Sequence, residues 1–207
     1  RQVAVSFSRA AASYDSVAQL QRDVGHELMA RLPQDLSPQR WLDLGSGTGY
    51  FSRVLSQRFT HSQGVALDIA QGMLAYARPL GGAQHFIAGD AESLPLQANS
   101  CDLIFSSLAL QWCADFRGVL SEARRVLKPG GVAAFVDVMS PGSPLLDTYL
   151  QSVEVLRDTS HVRDYSAAEW LRQVSEAGLF ISSHSRQRLR LEWTSWVERM
   201  RTPEPMR

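Results

Sequence analysis

A chain of 207 residues, 44% of them apolar, can bury one sizeable core, and this composition excludes the disordered and collagen-like classes. Its 21 basic and 21 acidic residues cancel, so there is no electrostatic reason to expect nucleic acid or an anionic membrane as a partner. Cys101 and Cys113 have neither CxxC spacing nor a neighbouring histidine cluster, so no disulfide framework and no metal site is expected.

No apolar run approaches the ~20 residues that span a bilayer. The opening RQVAVSFSRA carries no signal-peptide core. Without an initiating Met, the chain reads as starting after a trimmed segment, in a reducing cytoplasm. The six arginines between Arg186 and Arg207 read as solvated faces of a strand and a helix.

Strand and helix signals alternate, which predicts an α/β fold with a doubly wound, mostly parallel sheet. The spacing of Val17, Leu20, Val24, Leu28 and Leu32 predicts a helix over 16–32, capped by Ser16 with Gln19 in a capping box and stopped by Pro33. Strand one is Trp41 to Leu44. Phe51, Leu55 and Phe59 give the next helix an apolar face. Strand two is Val65 to Asp68, followed by a short helix with Met73, Leu74 and Ala77. Strand three is His85 to Ala88, and strand four is Asp102 to Ser106. A helix from Phe116 to Leu127 is expected to end at Pro129-Gly130-Gly131, ahead of strand five, Val132 to Val136.

Beyond Val138 the pattern changes. Pro141 and Pro144 mark a loop, and Leu145, Tyr149, Val153 and Leu156 predict a helix. Residues 157–165 read as a polar loop over the sheet's ligand edge. Ser166 and Glu169 form a second capping box, opening a helix that Gly178 ends. Leu189, Leu191 and Trp193 alternate with charged residues, as in a half-buried sixth strand. One domain is expected, with N-terminal lid helices over 1–36, a cofactor-binding core over 37–138 and substrate-side elements over 139–207.

The chemistry starts where strand one meets Gly45-Ser46-Gly47-Thr48-Gly49. Ligands of open parallel sheets bind off the carboxyl ends of the strands, and glycines there admit tight turns and close approach. The dinucleotide fingerprint is GxGxxG, whereas here position 50 is Tyr and the spacing is GxGxG. Asp43, two residues earlier, suits an ammonium better than a pyrophosphate. Asp68 ends strand two, 19 residues after Gly49, where a carboxylate can accept from both ribose hydroxyls. Asp90 and Ala91 follow strand three, and Ser106 and Ser107 end strand four. Singly, the two acids read as helix N-caps and the serines as loop residues.

Together these residues resemble motif I and the following strand ends of class I methyltransferases, a Rossmann-like fold. The resemblance implies S-adenosylmethionine as cofactor, with S-adenosylhomocysteine as its product. It places Asp43, Gly45, Ser46, Gly47 and Gly49 at the methionine end and Asp68 at the ribose. Asp90 and Ala91 would meet the adenine amino group, Ile69 and Met73 the adenine faces, and Ser106 the methionine moiety.

A narrower resemblance covers residues 1–131. Phe7-Ser8-Arg9-Ala10-Ala11-Ala12-Ser13-Tyr14-Asp15, Leu20-Gln21-Arg22 and Ser106-Ser107-Leu108-Ala109-Leu110-Gln111-Trp112 are similar to malonyl-acyl-carrier-protein O-methyltransferases of biotin biosynthesis. It implies methylation of a free malonyl carboxylate, Tyr14 closing over the reaction centre, and Arg22, Gln111, Trp112 and Arg163 on the substrate. An acidic acyl-carrier protein would meet Arg9, Arg22 and Arg163. Residues 132–207 resemble instead a small-molecule methyltransferase group akin to those of quinone biosynthesis. The mosaic fits a natural relative with its own substrate or a recombined chain. Three functions therefore stand: carboxylate O-methylation, small-molecule C- or O-methylation of the quinone type, and a non-catalytic cofactor-binding module. The five histidines are scattered, and only His161, in its loop, is placed to reach the active face. The family's final antiparallel strand is missing from this pattern, so an open or intermolecularly covered edge, and self-association, are expected near 187–193.

Overall fold

The computed structural model of the chain describes residues 2–188 apart from 159. Its centre is a parallel five-stranded sheet of β1 (Arg40–Leu44), β2 (Gln63–Asp68), β3 (His85–Ala88), β4 (Cys101–Ser107) and β5 (Leu127–Val136), in the order β3-β2-β1-β4-β5. The chain winds outward through β1, β2 and β3, then returns to β4 on the other side of β1. The reversal opens a crevice at the carboxyl ends of β1 and β4, where a ligand fits this fold.

Strands covered on both faces read as nearly continuous apolar runs. Trp41, Leu42 and Leu44 of β1 are buried, as are Leu103, Ile104 and Phe105 of β4. Alternation along the strands divides them between two layers. On one side Trp41, Leu103 and Phe105 pack against Met29, Leu55 and Phe59 from α2 (Gln19–Arg31), α3 (Tyr50–Arg58) and the turn after α3. On the other, Leu42, Leu44 and Ile104 pack against Phe116, Val119, Leu120 and Ala123 of α5 (Phe116–Val126). Asp115 caps α5, accepting from the Gly118 N–H at 2.9 Å.

Helix α1 (Gln2–Tyr14) lies against α4 (Gln71–Ala77) so closely that a Cβ on Gly72 would stand 2.7 Å from Ser8. On the far side, α6 (Pro144–Arg157) and α7 (Ala167–Glu176) flank the two-residue parallel pairing of Met139–Ser140 with Tyr165–Ser166. Ser166 and Glu169 form the expected capping box. Gly178, at φ +78°, closes α7, with the Leu179 N–H on the Val174 carbonyl at 3.2 Å.

Three local expectations change. Ser16 does not cap α2: its hydroxyl donates to the Ser13 carbonyl at 2.7 Å, and α2 starts at Gln19 without a side-chain cap. Helix α5 stops at Val126 because Leu127 turns extended to pair with Cys101. Pro129-Gly130-Gly131 is therefore not a helix cap but an irregularity in β5, where the register jumps from Cys101↔Leu127 to Leu103↔Val132. The loop over 157–165 is polar in sequence yet buries Ser160, His161 and Asp164. The sixth strand at Leu189, Leu191 and Trp193, and most of the expected edge at 187–193, lie outside the described residues. Among the described residues β5 pairs with β4 alone.

No described helix is long and apolar enough to cross a membrane. No group of three or more His, Cys, Asp or Glu among the described residues is arranged to hold a metal ion.

Candidate functional site

The loop after β1 is shaped by three glycines in the left-handed region, Gly45 (φ +75°), Gly47 (+52°) and Gly49 (+72°). The Gly45 and Ser46 N–H groups both donate to the Leu67 carbonyl, at 2.8 and 3.0 Å, which ties the loop to the end of β2. Asp68 strengthens the tie. One carboxylate oxygen accepts from the Gly47 N–H at 2.8 Å and the other from the Ala70 N–H at 2.7 Å. Burial raises the Asp68 pKa, against the pull of these N–H groups.

Asp43 sits beneath the loop, 3% exposed, and accepts from the Ser52 hydroxyl at 2.6 Å. Burial pushes its pKa up to about 7, with the Ser52 bond opposing and the Asp68 charge adding. Asp90 lies two residues past β3 and exposed to solvent, its carboxylate accepting from the Glu92 N–H at 2.9 Å, and Ala91 beside it packs on the core. The carboxyl edge thus gathers Asp43 of β1, Asp68 of β2 and Asp90 from the turn after β3.

Ser106 departs from expectation. Its hydroxyl is buried and donates to the Leu44 carbonyl at 2.8 Å, so it braces β4 to β1. Ser107 faces the other way, and its hydroxyl is buried with no hydrogen-bond partner, as is that of Ser46. Leu108 follows at φ +53°, a rare backbone state for a residue with a side chain, held by its N–H on the Val136 carbonyl at 2.8 Å. Two orphaned hydroxyls and a glycine, Gly47, with open space where a Cβ would stand fit a polar ligand at this edge.

The N-terminal helices close one side. The Thr48 hydroxyl donates to Asp15 at 2.7 Å, and Ser8 accepts from the Gly72 N–H at 3.1 Å. Ile69, 41% exposed, lines a cavity of about 410 Å³ with Val5, Ser8, Arg9 and Gln71. Met73 does not reach it. It is 1% exposed and packs with Ala11, Phe7 and Tyr14, so the expected adenine contact is instead part of the α1–α4 seam. Tyr14 lies in the same seam, edge-on to Phe7 at 6.2 Å. Arg22 donates to the Asp15 carbonyl at 2.6 Å and lies 4.9 Å from the centre of the Tyr50 ring.

On the acceptor side, Gln111 and Trp112 form a 3-10 turn, Leu110–Trp112, just past β4. Arg163 joins this turn by its backbone, its N–H on the Gln111 carbonyl at 3.3 Å. Its guanidinium points elsewhere, between Asp147 at 3.3 Å and Glu169 at 3.2 Å. An arginine bracketed by two acids brings no net positive charge, so this side chain does not present a free grip for a substrate carboxylate. His161 is buried, 3.8 Å from Asp164 and edge-on to Trp112 at 5.7 Å.

Sequence reasoning missed Asp137. It directly follows β5, part-buried, and accepts from the Leu110 and Gln111 N–H groups at 2.8 and 3.1 Å. Burial raises its pKa to about 7, against these N–H groups and with the Asp164 charge adding. Its place at the end of a strand, like Asp43 and Asp68, was the available signal.

Comparison with known proteins agrees with this geometry. A profile described as a methyltransferase domain matches residues 42–135. The chain is 49% identical over 139 residues to a malonyl-[acyl-carrier protein] O-methyltransferase of Methylococcus capsulatus, covering 65% of this chain and 50% of that protein. It is 40% identical over 177 residues to one from Pseudescherichia vulneris, covering 86% of this chain and 68% of that protein, so the similarity runs past residue 131. The chain spans about half the length of most curated relatives it matches. Among solved structures, the YcgJ protein of Bacillus subtilis superposes with a TM-score of 0.81 at 30% identity, over 88% of this chain and 79% of that one. Glycine loop, strand-end acids, sheet order and these relatives together make the chain a member of the class I S-adenosylmethionine-dependent methyltransferase family.

Proposed function

We propose that the chain methylates the free carboxylate of a malonyl thioester on an acyl-carrier protein. The observation that carries this reading is the similarity to malonyl-[acyl-carrier protein] O-methyltransferases over up to 86% of the chain. Residues 1–36 act as a lid, 37–138 hold the cofactor and 139–207 shape the acceptor side. S-adenosylmethionine, when bound, supplies a methyl group activated by its sulfonium.

The chain's own residues bind and align. Asp68 accepts from the ribose hydroxyls, Asp43 faces the ammonium, and Gly45, Ser46, Gly47 and Gly49 shape the loop around the methionine end. Asp90 and Ala91 meet the adenine edge, and Ile69 one adenine face. Ser107, with its unspent hydroxyl, takes the place expected of Ser106. Tyr14, Gln111 and Trp112 exclude water from the reacting atoms. A malonyl carboxylate is already ionised at neutral pH, so no general base is needed. Arg9, exposed on α1, and Arg22 present positive charge to an acidic carrier.

A second reading, a small-molecule acceptor of the quinone type, is favoured by two observations. Arg163 is already paired with two acids, and His161 with Asp164 lies buried beside Trp112. A phenol or carbon acid needs a base, and this pair has the composition of one. Transfer of a labelled methyl group to malonyl-acyl-carrier protein, malonyl-coenzyme A and a quinone precursor separates the readings. Turnover of the first is expected. Turnover of the quinone precursor alone overturns the malonyl reading, and cofactor binding without turnover of any acceptor favours a non-catalytic module.

Asp43 predicts a pH dependence of cofactor binding. Its pKa of about 7 keeps it increasingly protonated in the empty site below neutrality. Pairing with an ammonium requires the carboxylate, so binding then releases a proton. Affinity for S-adenosylhomocysteine is expected to hold above about pH 7 and to fall toward about tenfold per pH unit below it. Calorimetric titration from pH 8 to 6 measures this slope, and Asp43→Asn should flatten it.

A further inference from the structure

The turn Leu110–Trp112 is where three separate parts of the fold meet. From the end of β5 comes the next residue, Asp137. Its Oδ2 accepts from the Leu110 and Gln111 N–H groups at 2.8 and 3.1 Å, and its Oδ1 from the Val138 N–H at 3.0 Å. The Gln111 amide, turned as its neighbours require, donates to Asp137 Oδ1 at 3.0 Å and accepts from Trp112 Nε1 at 3.3 Å. From α1 comes Phe7, edge-on to Trp112 at 5.3 Å. From the loop after α6 comes His161, edge-on to the same indole at 5.7 Å. The indole is thus oriented by a relay from a part-buried acid, and it touches both the helix that walls the cavity at Ile69 and the loop on the acceptor side.

We propose that Asp137 is a positioning residue that sets, through Gln111, the orientation of Trp112, and that Trp112 is the latch on which Phe7 holds α1 closed over the cavity at Ile69. The proposal rests on the reading that α1 covers the bound cofactor, and it holds for either acceptor. Its chemistry is specific. Both oxygens of Asp137 receive only N–H donors, so an isosteric amide must turn its NH2 against one of them. Hydrogen bonds to a carboxylate are stronger than neutral ones, and a mispaired donor in this part-buried site is costly. Phe7 is far from Asp137 in the chain, and among the described residues Trp112 and Gln111 link the two. Because Asp137 Oδ2 also braces the Leu110–Gln111 backbone, Gln111→Leu, which spares those two bonds, separates the side-chain relay from a role in holding the turn.

A double-mutant cycle tests this with two readouts on the full chain. In the ligand-free protein, amide hydrogen exchange of α1 is expected to quicken in Asp137→Asn about as much as in Phe7→Ala. Calorimetry with S-adenosylhomocysteine is expected to show Phe7→Ala weakening binding about tenfold in the parent, an ordinary coupling for contacting groups, but less than about twofold in the Asp137→Asn background. If α1 exchange in Asp137→Asn matches the parent, or the two losses multiply independently, the latch is overturned. Absence of binding by the parent would sink the cofactor reading while the exchange result still decides the latch. Should Asp137→Asn fail to fold, Gln111→Leu cuts the relay while leaving the acid and its three backbone N–H donors in place, and carries the same expectations.

Discussion

Replacing Asp68 with alanine is expected to weaken S-adenosylhomocysteine binding by about 100-fold or more. Two hydrogen bonds from ribose hydroxyls to a carboxylate are lost, each worth about 1.5–3 kcal/mol, and about 1.4 kcal/mol is a factor of ten. A further loss is indirect. Asp68 anchors the glycine loop through the Gly47 N–H and the start of α4 through the Ala70 N–H. Without it the loop must be ordered by the ligand, which lowers affinity again. Stability should fall much less than affinity, because burial already makes the ionised carboxylate costly in the empty site. Calorimetry gives the affinity and thermal melting the stability. Unchanged binding with an intact fold would falsify the placement of the ribose.

A substitution of Gly45 by alanine is expected to destabilise the protein by about 3 kcal/mol, from two separate causes. The left-handed backbone costs roughly 1–2 kcal/mol once a Cβ is present, and overpacking typically costs about 1–3 kcal/mol. At φ +75° the new Cβ would overlap that of Ala109, which follows β4. The two causes are separable by urea denaturation. Ala109→Gly in the Gly45→Ala background removes the overlap but not the backbone cost, so about half the loss should return. Gly47 is the contrast. Its φ is +52°, but nothing lies within 4 Å of its Cβ position. Alanine there should cost only the backbone strain while intruding on the cofactor space, so affinity falls more than stability. Equal stability losses at both positions would argue against the close approach of Gly45 to Ala109.

The glycine loop and the acids were legible because their placement is a backbone property. Parallel strands covered on both faces are written as apolar runs, and each run here ends at a glycine or a polar residue: Leu44 before Gly45, Leu67 before Asp68, Phe105 before Ser106. Position along the chain therefore fixed position on the edge. Orientation was a different matter. Ser106 and Ser107 differ by one residue and so point to opposite faces, and only the nearby Leu44 carbonyl decides which hydroxyl is spent.

By itself the sequence determined the α/β winding and the crevice at the glycine loop, which follow from hydrophobic period and from short-range backbone chemistry, while the cofactor was implied by the resemblance to class I methyltransferases. The tertiary structure decided which polar groups remain available there. Met73 went into the α1–α4 seam, Arg163 was neutralised by Asp147 sixteen residues before it and Glu169 six after, and Asp137 emerged as the brace of the Gln111–Trp112 turn. The physical reason is that a side chain's charge and hydrogen bonds are settled by partners that folding brings from elsewhere in the chain, and spacing along the chain does not encode those partners.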